Sequence, residues 1–160
     1  MMQQLLGTSV FFLALILLHT SCGSGYYHNR FLGAAGTGDV NEVKRLLENR
    51  RVEINSSAGG GPAISLAAYY GHVQVVNLLI EHHADVNARD EDGFTPLMHA
   101  AMSGQLQVAR TLLENRADST VTVEAYDGKG SMTALDIARM KKHEEVALLI
   151  EQFRDAGTAR

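Results

Sequence analysis

The sequence predicts an all-α solenoid of about four stacked helix–turn–helix units with short hairpin fingers between them. The first observation behind this prediction is an internal repeat, because residues 64–79 recur thirty-three positions later as residues 97–112. The second is a related copy on each side, at residues 34–47 and 133–150. A fixed period of this size indicates stacked supersecondary units, none of which can bury its apolar face alone.

The spacing of residues within one unit predicts each element in order. Residues 90–93 suit the turn of a hairpin finger. Thr95 can then cap the first helix through its hydroxyl, and Pro96 fits the first helical position. Gly104 permits the tight turn into the second helix, where a residue with a Cβ would be strained. Apolar side chains at helical spacing mark one face of the second helices, at Val75, Val76, Leu79 and Ile80 and at Val108, Ala109, Leu112 and Leu113.

The most complete copy of the repeat runs from Asp85 to Gly104 and contains Thr95-Pro96-Leu97 followed by Ala100-Ala101. With several such motifs in register, residues 30–153 resemble the ankyrin-repeat family. The resemblance implies a stack of finger, helix, turn and helix that presents a binding surface. It implies a repeat domain at residues 30–155, with repeats at about 30–58, 59–91, 92–128 and 129–155, and a tail at 156–160.

The chain departs from the family pattern at several positions. Met98 stands where the family usually has a histidine, and Lys142 stands where the last turn glycine belongs. The glycine that normally ends the second helix is replaced by Arg50, His83 and Arg116. We therefore expect the second helices to fray more at their ends than in an idealised repeat. The first and last copies are expected to be capping units with polar outer faces.

Composition is that of a soluble folded domain. Of the 160 residues, 46% are hydrophobic and 20% are charged, and the formal net charge is −4. This mild acidity, without a basic stripe, argues against nucleic acid as a partner. Tryptophan is absent, so a binding hot spot would depend on Tyr, Phe, Met or Arg.

The amino terminus predicts export. No charged side chain precedes Arg30, and the segment Leu5–Leu18 is almost wholly apolar. Such a segment is too short to span a bilayer comfortably and has the length of a signal-peptide core. We therefore predict a signal peptide at residues 1–22 and a linker at residues 23–29. The protein would be periplasmic or anchored to a membrane by lipid in a bacterium, and secreted otherwise.

Cys22 is the only cysteine, and it lies where the apolar segment gives way to small residues. This placement resembles the bacterial lipoprotein signal, in which the cysteine becomes the first residue and carries the lipid. The resemblance implies lipidation at Cys22, which would be the only contact of the protein with a membrane. The alternative is ordinary signal cleavage nearby, for instance after Gly23 or Gly25.

The sequence indicates no catalytic or metal chemistry. Residues 59–62 lack the Lys-Ser/Thr ending of a phosphate-binding loop. Serine, histidine and aspartate form no recognisable nucleophile motif. His82 and His83 are adjacent, so they would point in different directions, and no third ligand is in view. We therefore predict no enzyme, no catalytic residue, no cofactor and no metal site.

The resemblance also implies where a protein partner would bind. In ankyrin repeats the partner meets the finger tips and the exposed end of each first helix, which line the concave face. Tyr69, Met102 and Met140 occupy one equivalent position in three units and would form an apolar stripe there. The alternative is that some of them only seal the packing between units. The predicted partner-binding residues are Tyr69, Tyr70, Glu91, Asp92, Phe94, Met102, Ser103, Met132, Met140 and Lys141.

The function predicted from the sequence is therefore an exported module that recognises a protein partner through a preformed curved surface. Two other functions remain open. One is an inhibitor or immunity-type protein that blocks an exported enzyme, with Glu91 and Asp92 inserted into a basic site. The other is an auxiliary factor in haem or metal handling that uses His82, His83 and methionine side chains.

Overall fold

The computed structural model describes residues 25–49, 52–56, 61–125, 128 and 130–158. The predicted signal peptide at residues 1–22, including the predicted lipidation site Cys22, lies outside the described residues. Residues 25–29, which belong to the predicted linker 23–29, are helical and begin the first described helix.

Eight helices and one two-stranded hairpin make up the described part of the chain. The helices are α1 (25–37), α2 (Val40–Glu48), α3 (Ala63–Tyr70), α4 (Val73–Glu81), α5 (Pro96–Ser103), α6 (Leu106–Glu114), α7 (Ala134–Met140) and α8 (Glu144–Thr158). The strands β1 (Val123–Glu124) and β2 (Ser131–Met132) pair antiparallel, with Val123 opposite Met132. The predicted all-α solenoid is confirmed. None of the described helices is long and apolar enough to cross a membrane.

The helices are arranged in two layers. The first helices of successive units pack side by side, α3 on α5 and α5 on α7. The second helices form the other layer, in which α2 contacts α4, α4 contacts α6 and α6 contacts α8. One continuous hydrophobic core lies between the layers. Small buried residues at the middle of the first helices, such as Ala67, Ala68, Ala100 and Ala101, allow these helices to approach closely.

The turn between the two helices of a unit requires glycine for two reasons. The turn glycines have φ between 70° and 81°, a left-handed conformation that residues with a Cβ rarely adopt. In addition, a side chain of the next unit fills the place where a Cβ would be, with its nearest atom 2.4–2.6 Å away. The three pairs are Gly38 with His72, Gly71 with Gln105, and Gly104 with His143.

The last unit has a different turn. Lys142 adopts φ 63° at the position equivalent to the turn glycines. Within the described chain no further unit packs on this turn, so the clash that excludes a Cβ from the earlier turns does not arise. The substitution that looked irregular in the sequence is therefore compatible with the packing of the last unit.

Two of the second helices, α4 and α6, end in a left-handed residue that is not glycine. At the end of α4, His83 has φ 66°, its N–H donates to the carbonyl of Ile80, and the N–H of Ala84 donates to that of Leu79. Arg116 takes the same role after α6, with φ 67°. These bonds are the closing pattern that glycine usually provides. The helix ends are thus formed, and their expected extra fraying stays a prediction.

Candidate partner-binding surface

The first helices end in exposed aromatic side chains. Tyr69 and Tyr70 form the last turn of α3, and 41% and 56% of their surfaces are exposed. Their rings meet edge to face, with centroids 5.1 Å apart. Exposed aromatic patches of this kind are typical of interaction sites.

The two tyrosines belong to a larger group that extends into the next unit. The ring of His99, on α5, lies 6.2 Å from the ring of Tyr69 and 5.7 Å from that of Phe94. Phe94 follows the finger that precedes α5 and is half-buried. We call Tyr69, Tyr70, Phe94 and His99 the aromatic cluster. It joins two units into one continuous surface.

His99 was not among the predicted site residues. In the sequence, only the preceding position stood out, because Met98 replaces the usual histidine of the family. In the structure, Met98 is buried and His99 faces the finger, where its Nε2 lies 2.7 Å from Oδ2 of Asp90. The signal in the sequence was an aspartate at the start of the finger turn, nine residues before a histidine on the following helix.

Asp90 organises the finger. Its Oδ1 accepts hydrogen bonds from the backbone N–H groups of Asp92 (3.1 Å) and Phe94 (2.8 Å). Its Oδ2 lies 2.7 Å from Nε2 of His99, and a carboxylate can accept this hydrogen bond only when Nε2 carries a proton. Nδ1 of His99 is buried and has no hydrogen-bond partner among the described residues. One largely buried carboxylate therefore closes the finger turn and fastens it to α5.

A solvent-open cavity of about 680 Å³ lies between this finger and the next. Its described lining consists of Asp90, Asp92, Phe94, His99, Met102, Glu124, Ala125 and Gly128. Three of these residues carry carboxylates and none is lysine or arginine, while Phe94 and Met102 supply apolar wall. We call this cavity the acidic pocket. It combines negative charge with an aromatic and thioether surface.

The backbone beneath the surface is fixed by hydrogen bonds between units. In each case the side chain that follows the left-handed turn residue, which is Gly71, Gly104 or Lys142, reaches a carbonyl near the end of the preceding first helix. The pairs are His72 Nε2 with Gly36 O (2.9 Å), Gln105 Nε2 with Tyr69 O (3.3 Å), and His143 Nε2 with Met102 O (3.2 Å). Tyr69 and Met102, both predicted site residues, are therefore held by the following unit, and the surface is preformed.

The predicted site residues are placed unevenly. The structure brings Tyr69, Tyr70 and Phe94 together, and Asp92 and Met102 line the acidic pocket beside them. Met102 and Met132 are half-buried and also pack against the core. Glu91, Met140 and Lys141 are exposed, and Ser103 is half-buried with an Oγ that has no partner among the described residues. The predicted site therefore contains both exposed residues and residues that also pack against the hydrophobic core.

Carboxylates with a lowered pKa stabilise the fold elsewhere in the chain. Hydrogen bonds from Arg45, reinforced by the charge of Arg30, lower the pKa of Glu42 to about 2 and tie α1 to α2. Hydrogen bonds from the hydroxyl and N–H of Thr133 lower the pKa of Asp136 in the capping box of α7. These groups lie outside the acidic pocket. Their lowered pKa values reflect a helix cap at Asp136 and an ion-pair network at Glu42.

His82 and His83, considered above as metal ligands, are exposed at the end of α4. In the part of the chain that the structure describes, no group of three or more His, Cys, Asp or Glu side chains is placed to hold a metal ion.

Comparison with known proteins gives a consistent result for the repeats. A family model described as "Ankyrin repeats (3 copies)" matches residues 31–123, which is more than half of the chain. The match begins in α1 and ends in β1. It thus covers the aromatic cluster, whereas α7 and α8 lie beyond it.

Curated relatives share the repeats within larger proteins. The BTB/POZ domain and ankyrin repeat-containing protein NH5.2 of Oryza sativa subsp. japonica is 47% identical over 57 residues, 34% of this chain and 12% of that protein. The probable E3 ubiquitin-protein ligase XBOS33 of the same organism is 40% identical over 81 residues, 49% and 16% of the two chains. Protein phosphatase 1 regulatory subunit 27 of Mus musculus is 35% identical over 68 residues, 42% and 44%. The chain spans less than half the length of each of these relatives.

Proposed function

Since this chain belongs to the ankyrin-repeat family, we propose that it binds a protein partner through the concave face around the aromatic cluster and catalyses no reaction itself. Ankyrin repeats are protein–protein interaction modules and generally non-catalytic. Relatives that carry them include a phosphatase regulatory subunit and ubiquitin ligases, by their names. A curved stack of repeats offers its concave side as an extended binding surface.

The observation that supports this proposal is the exposure of Tyr69 and Tyr70 on a rigid backbone. Tyrosine is enriched among the few residues that dominate interface energies, and it loses little conformational entropy on binding. A surface that is already ordered before binding also lowers the entropic cost of forming the complex. Exposed, adjacent and preformed aromatic rings are therefore a suitable anchor for another protein.

The test is crosslinked affinity capture with the wild-type chain, followed by titration of the recovered protein. We expect a Tyr69→Ala, Tyr70→Ala variant to lose affinity by about 30-fold or more, because hot-spot truncations cost about 2 kcal/mol or more. Leu148→Ala is the matched control, since Leu148 is 56% exposed on α8 and lies in the other layer. Equal affinity of both variants would contradict the proposed surface.

We extend the proposal to export, with a signal peptide at residues 1–22 and lipid at Cys22. The support is the apolar segment Leu5–Leu18 followed by small residues. Mass spectrometry of the mature protein from its native cells tests it. A lipid-modified chain that begins at Cys22 is expected. A chain that begins after Gly23 or Gly25 would indicate ordinary cleavage, and an intact Met1 would contradict export.

An inhibitor or immunity-type role is the alternative within this proposal. Glu91 and Asp92 are exposed at the tip of the finger, where they are available to a basic site. The captured partner separates the two roles. If it is an enzyme whose activity falls on binding and is restored by the Glu91→Gln, Asp92→Asn variant, the inhibitor role is correct. An activity unchanged by binding supports the adaptor.

A further inference from the structure

We propose that the acidic pocket receives the side chain of an arginine from an extended segment of the partner. This inference rests on the proposed function, because it names the chemistry that a partner would present to the same surface. The pocket volume of about 680 Å³ lies within the range of about 300–1,000 Å³ typical of binding pockets. It opens beside the aromatic cluster, so one segment can contact both.

The charge of the pocket requires a cation. Asp90 is already satisfied by the finger N–H groups and by His99. Asp92 and Glu124, by contrast, are exposed at the rim and form no ion pair with any described residue. Concave sites lined by one sign of charge concentrate the field and attract the opposite charge. A cationic side chain entering here would neutralise carboxylates that no described cation neutralises.

Arg89 lies near the finger but does not line the pocket. Nη1 of Arg89 lies 3.8 Å from the place where a Cβ on Gly93 would be, but Arg89 is not among the described lining residues. Its charge instead contributes to lowering the pKa of Asp118, which is governed mainly by hydrogen bonds from Thr120. Asp92 and Glu124 thus face solvent and form no ion pair with a described cation.

The walls distinguish arginine from a metal ion and from lysine. The described residues include no cluster of three or more ligands placed for a metal, so the pocket suits a cation whose charge is spread over a larger group. The rings of Phe94 and His99 lie 5.7 Å apart and present π surface, and Met102 presents a thioether. A planar guanidinium stacks on aromatic faces and pairs with carboxylates, whereas an ammonium is compact and strongly hydrated.

The test is a titration of the full chain followed by nuclear magnetic resonance. The probes are three capped peptides of the form Ala-Ala-X-Ala-Ala, with arginine, lysine or citrulline as X. We expect saturable shifts at the amides of Phe94, His99, Met102 and Glu124 with the arginine peptide. The lysine peptide should bind several-fold more weakly, and citrulline, which has the same shape without the charge, should produce no saturable shift.

Matched variants locate the site. Asp92→Asn with Glu124→Gln should weaken the arginine peptide by tenfold or more. Glu81→Gln with Glu114→Gln removes the same charge from exposed positions on α4 and α6 and should change the affinity by less than twofold. Equal weakening by both pairs, no shift with the arginine peptide, or equal binding of lysine would overturn the proposal.

The outcomes also separate this inference from the proposed function. If the Tyr69→Ala, Tyr70→Ala variant loses the captured partner while the Asp92→Asn, Glu124→Gln variant keeps full affinity, the surface is correct and the arginine assignment is wrong. If both variants keep full affinity for the partner, the proposed surface itself is wrong.

Discussion

Asp90 and His99 show how much of the surface depends on a single hydrogen-bonded pair. The carboxylate accepts bonds from two N–H groups of its own finger and from the imidazole of α5. Both side chains are largely buried although they line the acidic pocket, so removing the imidazole would leave Oδ2 of Asp90 without its described donor. The position of the finger that carries Glu91, Asp92 and Phe94 therefore depends on a hydrogen bond to His99, which lies outside the finger on α5.

His99→Ala should therefore loosen the finger. We expect the free energy of unfolding to fall by about 1–3 kcal/mol, the range for leaving a buried polar group unsatisfied. Hydrogen exchange at the amides of Asp92 and Phe94 should become faster, since their acceptor is no longer held against α5. His82→Ala, a change at an exposed histidine, is the control. An unchanged exchange rate at both amides would contradict this role.

Glu42 gives the fold a defined response to acid. Its pKa is lowered from 4.5 to about 2 by Arg45, with help from the charge of Arg30. The ionised form is favoured in the folded state, so its contribution to stability is present above about pH 4.5 and is lost as the pH falls towards 2. Denaturant unfolding between pH 5 and pH 2 should show a shallower loss of stability in Glu42→Gln than in the wild type. Glu114→Gln should retain the wild-type slope.

At the scale of the elements, the turn glycines set how closely successive units stack. The turn position combines φ > 0 with a neighbouring side chain in the space of the Cβ. Either constraint alone would favour glycine. Together they fix how closely each unit packs against the next. The hydrogen bond from His143 to the carbonyl of Met102 uses the same close approach.

Gly104→Ala should accordingly destabilise the fold, whereas Gly33→Ala should not. Alanine at position 104 is strained at φ 70° and meets Nδ1 of His143 at 2.6 Å, so we expect a loss of more than 1 kcal/mol. Gly33 lies within α1 with nothing within 4 Å of an added Cβ, and alanine there should stabilise by about 0.5–1 kcal/mol. Urea unfolding of both variants measures the difference. A stabilised Gly104→Ala protein would refute the double constraint.

The repeat elements could be predicted because their signals are local. Thr95, Pro96 and Gly104 each act within one unit, and the cap of Thr95 on the N–H of Met98 and the turn at Gly104 are both present. Exposure of Tyr69 and Tyr70 also followed from their place before the turn glycine. Partial burial of Met102 and Met132 could not be predicted from the repeat pattern alone, because it depends on how each side chain packs against the core.

The acidic pocket could not be predicted for a related reason. It forms between the finger of one unit and the β1–β2 hairpin of the next, and the capping residues of these units, Thr95 and Thr133, are thirty-eight residues apart instead of thirty-three. His99 occupies a position that no repeat rule constrains, and its partner Asp90 becomes apparent only when the finger folds back onto α5. Contacts between units, rather than patterns within them, therefore create the chemistry of the site.

At the scale of the whole molecule, stability is the sum of units and their interfaces, and each unit covers the apolar face of its neighbour. α7 packs on α5 and α8 packs on α6, so the last unit shields the end of the stack. Residue 156, at the start of the predicted tail, is by contrast exposed. Removing residues 129–160 would therefore expose the apolar faces of α5 and α6, whereas removing residues 156–160 would expose little.

Truncation tests this dependence. Removing residues 129–160 uncovers the faces of α5 and α6 and deletes the cap on the turn at Gly104, so we expect self-association and a Tm lower by about 10 °C or more. A loss of about 2 kcal/mol suffices, since each kcal/mol shifts the Tm of a small domain by about 4–8 °C. Removing only residues 156–160 should leave the sedimentation coefficient and the Tm nearly unchanged. If the longer truncation stays monomeric with the Tm of the full chain, the last unit is not the cap, and the stack is stabilised chiefly within the three copies that precede it.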